Sequence, residues 1–208
     1  MFDFDLLGII AGLPGLIIAM VVHEYAHARV AVSLGDFTPK LMGRVTLNPM
    51  AHIDPIGLLM LILVRFGWAK PVMINPNNFR QPRRDDILVS VAGPLANLIT
   101  AFVALFVLVL LSQLGMRLSQ GTILVVRLII IYNINFALFN MIPIPPLDGS
   151  HILMQLLPRE WAYRLAGLER YSFFILIIFI MTPVLTYVLV PMQQFIWKIF
   201  AALIELIF

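Results

Sequence analysis

His23, Glu24 and His27 fall within five residues, in the order His-Glu-Tyr-Ala-His. On a helix, side chains four apart rise from one face, so both imidazoles reach a single metal ion while Glu24, one step round, reaches the water that ion activates. The chemistry this suits is zinc-assisted hydrolysis. The cluster lies inside an apolar run at residues 6–34, long enough to cross a bilayer. Ionisable groups at membrane depth are costly and face a cavity, a partner or a metal. A chance match to the motif and a polar cluster binding a neighbouring helix are the blander readings, but three such groups so close together call for a common partner.

A catalytic zinc takes three protein ligands and leaves a fourth position for water or substrate, so one more ligand must come from elsewhere. The chain has no cysteine, which excludes thiolate ligands and a disulfide framework. Asp148 is the leading candidate. It follows Asn140, Pro143, Pro145 and Pro146 at the end of an apolar run, where prolines break the helix and freed backbone groups must be buried in protein or line a cavity. His151 is a rival that reads better as a residue near the site or at the membrane interface. His52, between Pro49 and Asp54, reads as a turn histidine bonded to backbone or to Asp54.

Composition sets the elements that must hold these residues. Of 208 residues, 61% are hydrophobic and 12% charged, which makes the chain an all-α polytopic membrane protein. Runs at 87–111, 122–142 and 172–190 each approach the roughly 20 residues needed to span, giving four spans with the first. Residues 56–66 cover about half that length and read as a re-entrant segment. Residues 195–208 read as a short amphipathic helix, in the interface or against another helix. The expected architecture is three spanning helices around a zinc site, with a short β-hairpin or extended strand that includes residues 44–47, and further helices at the C-terminal end. It forms one membrane-embedded domain over 1–208, with its core at 6–157 and C-terminal helices at 171–208.

A net charge of +3 would suggest nucleic acid in a soluble protein, but here the basic residues sit in short loops and read as orientation signals. Lys40 and Arg44, then Lys70, Arg80, Arg83 and Arg84, then Arg159, Arg164 and Arg170 occupy three loops, against Arg117 alone in the turn between the second and third spans. If residues 56–66 do not cross, these loops share one side, which becomes cytoplasmic. Asp3 and Asp5 then start outside. The His-Glu-His cluster lies toward the cytoplasmic end of its helix.

These residues together resemble the site-2 protease family of intramembrane zinc metalloproteases. The likeness runs through about residue 152 and rests on five motifs in order. They are the His23 to His27 helix; Gly43, Arg44, Asn48 and Pro49 with His52 and Asp54; Gly67, Trp68, Lys70 and Pro71; Gly93, Pro94 and Asn97; and Asn140 through Gly149. It is most similar to the short prokaryotic branch without a PDZ or CBS domain. The resemblance implies one Zn2+ per chain held by His23, His27 and Asp148, Glu24 as catalytic acid/base, Asn140 near the scissile carbonyl, and the Gly93 to Asn97 motif in a helix beside the zinc. For Gly93, Pro94 and Asn97 the residues themselves argue close packing, a kink and an interhelical hydrogen bond.

The implied partners are transmembrane protein substrates and the lipid bilayer, with no nucleic acid. Residues 44–47 offer an extended stretch for pairing with an unwound substrate. Two other classes of function compete: a divalent-metal transporter, and a scaffold that binds membrane segments without cutting them. Glu24 between the histidines suits a retained catalytic ion better than a transported one.

Overall fold

A computed structural model describes residues 6–57 and 69–208. The expected re-entrant segment falls almost wholly outside these residues, as do Gly67, Trp68, Asp3 and Asp5.

Among the described residues, four helices are long and apolar enough to span a membrane. Three of them, α1 (Leu6–Ser33), α2 (Pro82–Gln113) and α3 (Gln120–Asn140), pack on one another. Glycine permits the closest approach: a Cβ added to Gly15 would meet the Tyr132 ring at 2.9 Å and the Ile129 backbone nitrogen at 3.0 Å, so α1 lies directly against the α3 backbone. Helix α2 starts at Pro82, with the Gln81 amide donating to the Asp85 carboxylate at 2.9 Å. It stops where Gly115, at φ +72°, carries the chain out of the helix, with Met116 N–H donating to Leu111 C=O and Gly115 N–H to Ser112 C=O. Ser119 then caps α3 by accepting from the Thr122 amide at 3.0 Å.

Past α3 the chain breaks at its prolines and re-forms as three short helices, α4 (Asp148–Leu156), α5 (Arg159–Ala166) and α6 (Ser172–Met181). The fourth long helix is α7 (Val184–Ile207). This corrects the expected span at 172–190, because Pro183 drives the residue before it into extended backbone and Thr182 sits at φ −94°, ψ 152°. Residues 172–181 are left too short to cross, and residues 195–208 continue α7 instead of forming a separate helix. Around Ile130, Ile134 and Phe200, α3 and α7 share one apolar cluster with Ala101 of α2.

The expected hairpin is also corrected. Among the described residues there is no sheet, and the β pairing is one isolated bridge between Ile53 and Ala69. Residues 44–47 bend because their polar groups are claimed locally. The Arg44 amide donates to Pro39 C=O, its guanidinium to Ala51 C=O, and the His52 ring takes the Thr46 carbonyl at 2.8 Å.

Candidate metal centre

His23 and His27 stand on one face of α1, both buried, with their Nε2 atoms 2.9 Å apart. Asp148, the first residue of α4, brings Oδ2 to 3.0 Å from His23 Nε2 and 3.3 Å from His27 Nε2. It reaches this position because Gly149 lets α4 press on the end of α3: a Cβ there would lie 2.3 Å from the Met141 carbonyl oxygen. Ile142 and Leu147, on either side of the prolines, pack with Leu176 in one buried apolar cluster.

The hydrogen bonds fix what these atoms present to each other. Asn133 Nδ2 donates to Ile129 C=O at 2.8 Å, so its Oδ1 accepts from Asn97 Nδ2 at 2.9 Å. Asn97 Nδ2 also donates to Ala19 C=O at 2.8 Å, which leaves Asn97 Oδ1 to accept from His23 Nδ1–H at 2.8 Å. His27 Nδ1 faces an acceptor too, the Val89 carbonyl at 2.8 Å. As neutral imidazoles, both rings therefore carry their proton on Nδ1 and turn the Nε2 lone pair inward. Two lone pairs and a buried carboxylate oxygen without a hydrogen-bond donor converge within 3.3 Å.

Such a group is repulsive unless a cation sits among its members. Ligand atoms roughly 2.0–2.1 Å from zinc at near-tetrahedral angles lie about 3.3 Å apart, close to the spacing found here. Two imidazoles and one carboxylate are a donor set of catalytic zinc, and ligand histidines normally give their second N–H to a neighbouring oxygen. Gly93 completes the cradle. A Cβ there would come within 2.5 Å of His27 Nε2 and 2.6 Å of His23 Cε1, so any side chain would intrude on the ligands. The residues present fit the metal.

Glu24 is half-buried, and its Oε2 accepts from the Val72 backbone amide at 3.0 Å. The extended chain that follows Ala69 thus holds the carboxylate beside the ligand pair. Phe136 stands edge-on to His23, with ring centroids 5.0 Å apart. Asn140, the last residue of α3, turns its amide back on its own helix, donating to Phe136 C=O at 2.9 Å. His151 is exposed and outside the ligand group. His52 is fully buried and bonded to backbone, as its turn setting implies.

Sequence reasoning read Asn97 as an interhelical hydrogen bond; the partner proves to be a metal-binding candidate. It missed Asn133, Phe136 and Val72. The signal for Asn133 was present, since an amide in the middle of an apolar span must face the protein interior. The Val72 contact is made by a backbone amide, to which residue type gives no clue.

Past the end of α1, the Asp36 carboxyl anchors the link between α1 and α2. Burial pushes its pKa up, but hydrogen bonds from the Thr38 hydroxyl and amide, the Asn75 amide and the Asn78 side chain outweigh burial and hold it below the ordinary carboxylate range.

The family model of peptidase family M50 matches residues 109–183, a stretch that includes Asp148 but not the α1 histidines. YwhC of Bacillus subtilis strain 168, which carries the name of a zinc metalloprotease, is 40% identical over 91% of this chain and 90% of its own length. Rip2 of Mycolicibacterium smegmatis and Rip2 of Mycobacterium tuberculosis strain H37Rv carry the same kind of name. They are 28% and 29% identical over 83% of this chain and 67% of their own lengths. No solved structure gives a significant match.

Proposed function

The chain belongs to peptidase family M50, and on that premise we propose that it is a membrane zinc metalloprotease that hydrolyses peptide bonds in or near transmembrane segments of other proteins, with α1, α2 and α3 as the three-helix housing of its site. The observation that carries this reading is the convergence of His23 Nε2, His27 Nε2 and Asp148 Oδ2 within 3.3 Å inside a spanning bundle.

His23, His27 and Asp148 would hold the ion. Zinc bound there supplies a Lewis acid that makes water nucleophilic near neutral pH and polarises the scissile carbonyl. Glu24 takes the proton from the attacking water and delivers it to the leaving amine, and the Val72 amide holds its carboxylate in place for both transfers. Asn97 fixes the tautomer and tilt of His23, and the Val89 carbonyl does the same for His27. Asn140, once it releases the Phe136 carbonyl, donates to the developing oxyanion, a role worth up to roughly 3 kcal/mol in a dry site. The basic loops support a topology in which the metal end of the bundle faces the cytoplasm of a prokaryotic cell membrane and draws its water from there.

The test reconstitutes the full chain with a panel of single-span protein substrates. Glu24→Gln is expected to keep its zinc and lose roughly 10²–10⁴-fold in rate. Asp148→Ala, or a chelator, is expected to remove both zinc and cleavage. Cleavage at the same rate in all three samples would sink the assignment.

A further inference from the structure

Resting on that proteolytic reading, we propose that the cavity between α3 and α7 is the docking site for a locally extended stretch of a substrate's transmembrane segment, from which the scissile carbonyl passes to the metal centre. The cavity holds about 400 Å³, within the roughly 300–1,000 Å³ of ligand pockets. Its walls include Tyr132, Asn135 and Phe136 of α3 and Thr186, Leu189 and Gln193 of α7. These two helices run antiparallel: Ile196, Trp197 and Phe200 of α7 clamp onto Ile130 and Ile134 of α3, while Leu185 and Leu189 lie by Phe139. The cavity therefore sits at the end of α3 that meets the metal centre. Phe136 belongs to both, lining the cavity and standing edge-on to His23 at 5.0 Å. That side chain is the partition between the two.

The chemistry of the lining selects the occupant. Gln193 Nε2 donates to Asn135 Oδ1 at 3.0 Å, a polar latch between α3 and α7 at a depth where acyl chains offer no partner. A helical segment satisfies its own backbone and has no use for such a latch, whereas an unwound one must find a donor and an acceptor for each exposed peptide unit. Asn135 Nδ2 and Gln193 Oε1 supply that complement. Opening is built into α7 as well. Pro191 lies within the stretch of α7 that lines the cavity, between Leu189 and Gln193 and ahead of the clamp at Phe200, and it removes the hydrogen bond that would stiffen the helix there.

The chain has no cysteine, so thiols can be introduced cleanly. Phe139→Cys/Leu185→Cys, a pair across α3 and α7 that leaves Asn135 and Gln193 intact, would be bridged in vesicles with a short bis-methanethiosulfonate reagent that thiols reverse, with each single variant treated in parallel. The expected result is a loss of cleavage of a single-span substrate by at least tenfold, restored by reductant, with zinc content and thermal unfolding unchanged. A second arm places a photo-reactive benzoyl-phenylalanine at Thr186 in the Glu24→Gln protein, where a single-span peptide should be captured before bridging and not after. Undiminished cleavage by the bridged enzyme overturns the proposal, and so does capture that is absent or indifferent to bridging. Capture that bridging abolishes, in a protein whose wild type cuts no substrate, would support the docking site while counting against the proteolytic reading.

Discussion

The two ends of the bundle are held by different forces. A third of the α1 membrane window is buried inside the protein, against 6% of the α7 window. At the metal end a ladder of hydrogen bonds runs from Ile129 through Asn133 and Asn97 to His23, every amide in it fully buried. Beyond the Gln193–Asn135 bond, helix α7 leans on α3 through aromatic and aliphatic packing, with Phe200 as its buried residue and Phe102 edge-on to it at 5.3 Å. In lipid no hydrophobic force drives helices together, so hydrogen bonds and close packing decide what is fixed and what moves. The proposed metal cradle is thus held by buried hydrogen bonds, and α7 by packing and one polar latch.

The sharpest way to break this contrast is to disturb the cradle by one methyl group. Gly93→Ala puts a Cβ about where the His23 and His27 rings lie, and a displacement of about 1 Å at a catalytic group costs about 10²-fold. Zinc per chain and cleavage should collapse together while helicity by circular dichroism holds. Normal zinc content in that variant would show that the cradle is soft and the contrast false.

Asn97→Leu should come next. It leaves His23 Nδ1–H, Ala19 C=O and Asn133 Oδ1 without their partner, and loss of such a ligand-orienting group typically lowers metal affinity about 10–100-fold. Competition with a fluorescent chelator measures it. Asn133→Leu, one bond further away, should cost less, and an equal loss would mean that the two amides act as one unit. On the other side of the contrast, Phe200→Ala should leave zinc affinity unchanged and loosen α7. Its cost should fall below the roughly 3–5 kcal/mol of a soluble core, since the loss is of packing alone. Faster hydrogen exchange over residues 184–207, with α1 still protected, is the expected signature.

The same contrast explains what could be read from the sequence. The metal end was legible because polar residues inside apolar runs admit few placements: His23, His27 and Asp148 converge as their spacing and the proline break imply. The C-terminal end was not, because a continuous apolar composition hides a backbone break, and Pro183 divided what hydropathy joined. The hairpin at 44–47 failed for a related reason. β-branched composition favours extension, but Arg44 and His52 reach across the loop and take the carbonyls a partner strand would need. Glu24 had the right types around it, yet its anchor is a backbone amide from a segment 48 residues away.

The smallest expected effect asks whether the rigid half extends beyond the membrane, where Asp36 ties Thr38, Asn75 and Asn78 into the link between α1 and α2. The folded carboxyl titrates below its ordinary value, so the folded state prefers the charged form. The stability it contributes is fully present above the ordinary carboxylate pKa of about 3.9 and is lost as the pH falls through the lower, folded value. Hydrogen exchange at the Thr38 and Asn75 amides, corrected for intrinsic rate, should therefore stay slow from neutral pH down to about pH 4 and accelerate below it. Asp36→Asn removes the charge at every pH, so it should exchange faster at neutrality and lose that acid dependence. If the variant is protected like the wild type, the loop is held by its backbone alone and the fixed half of the protein ends at the membrane surface.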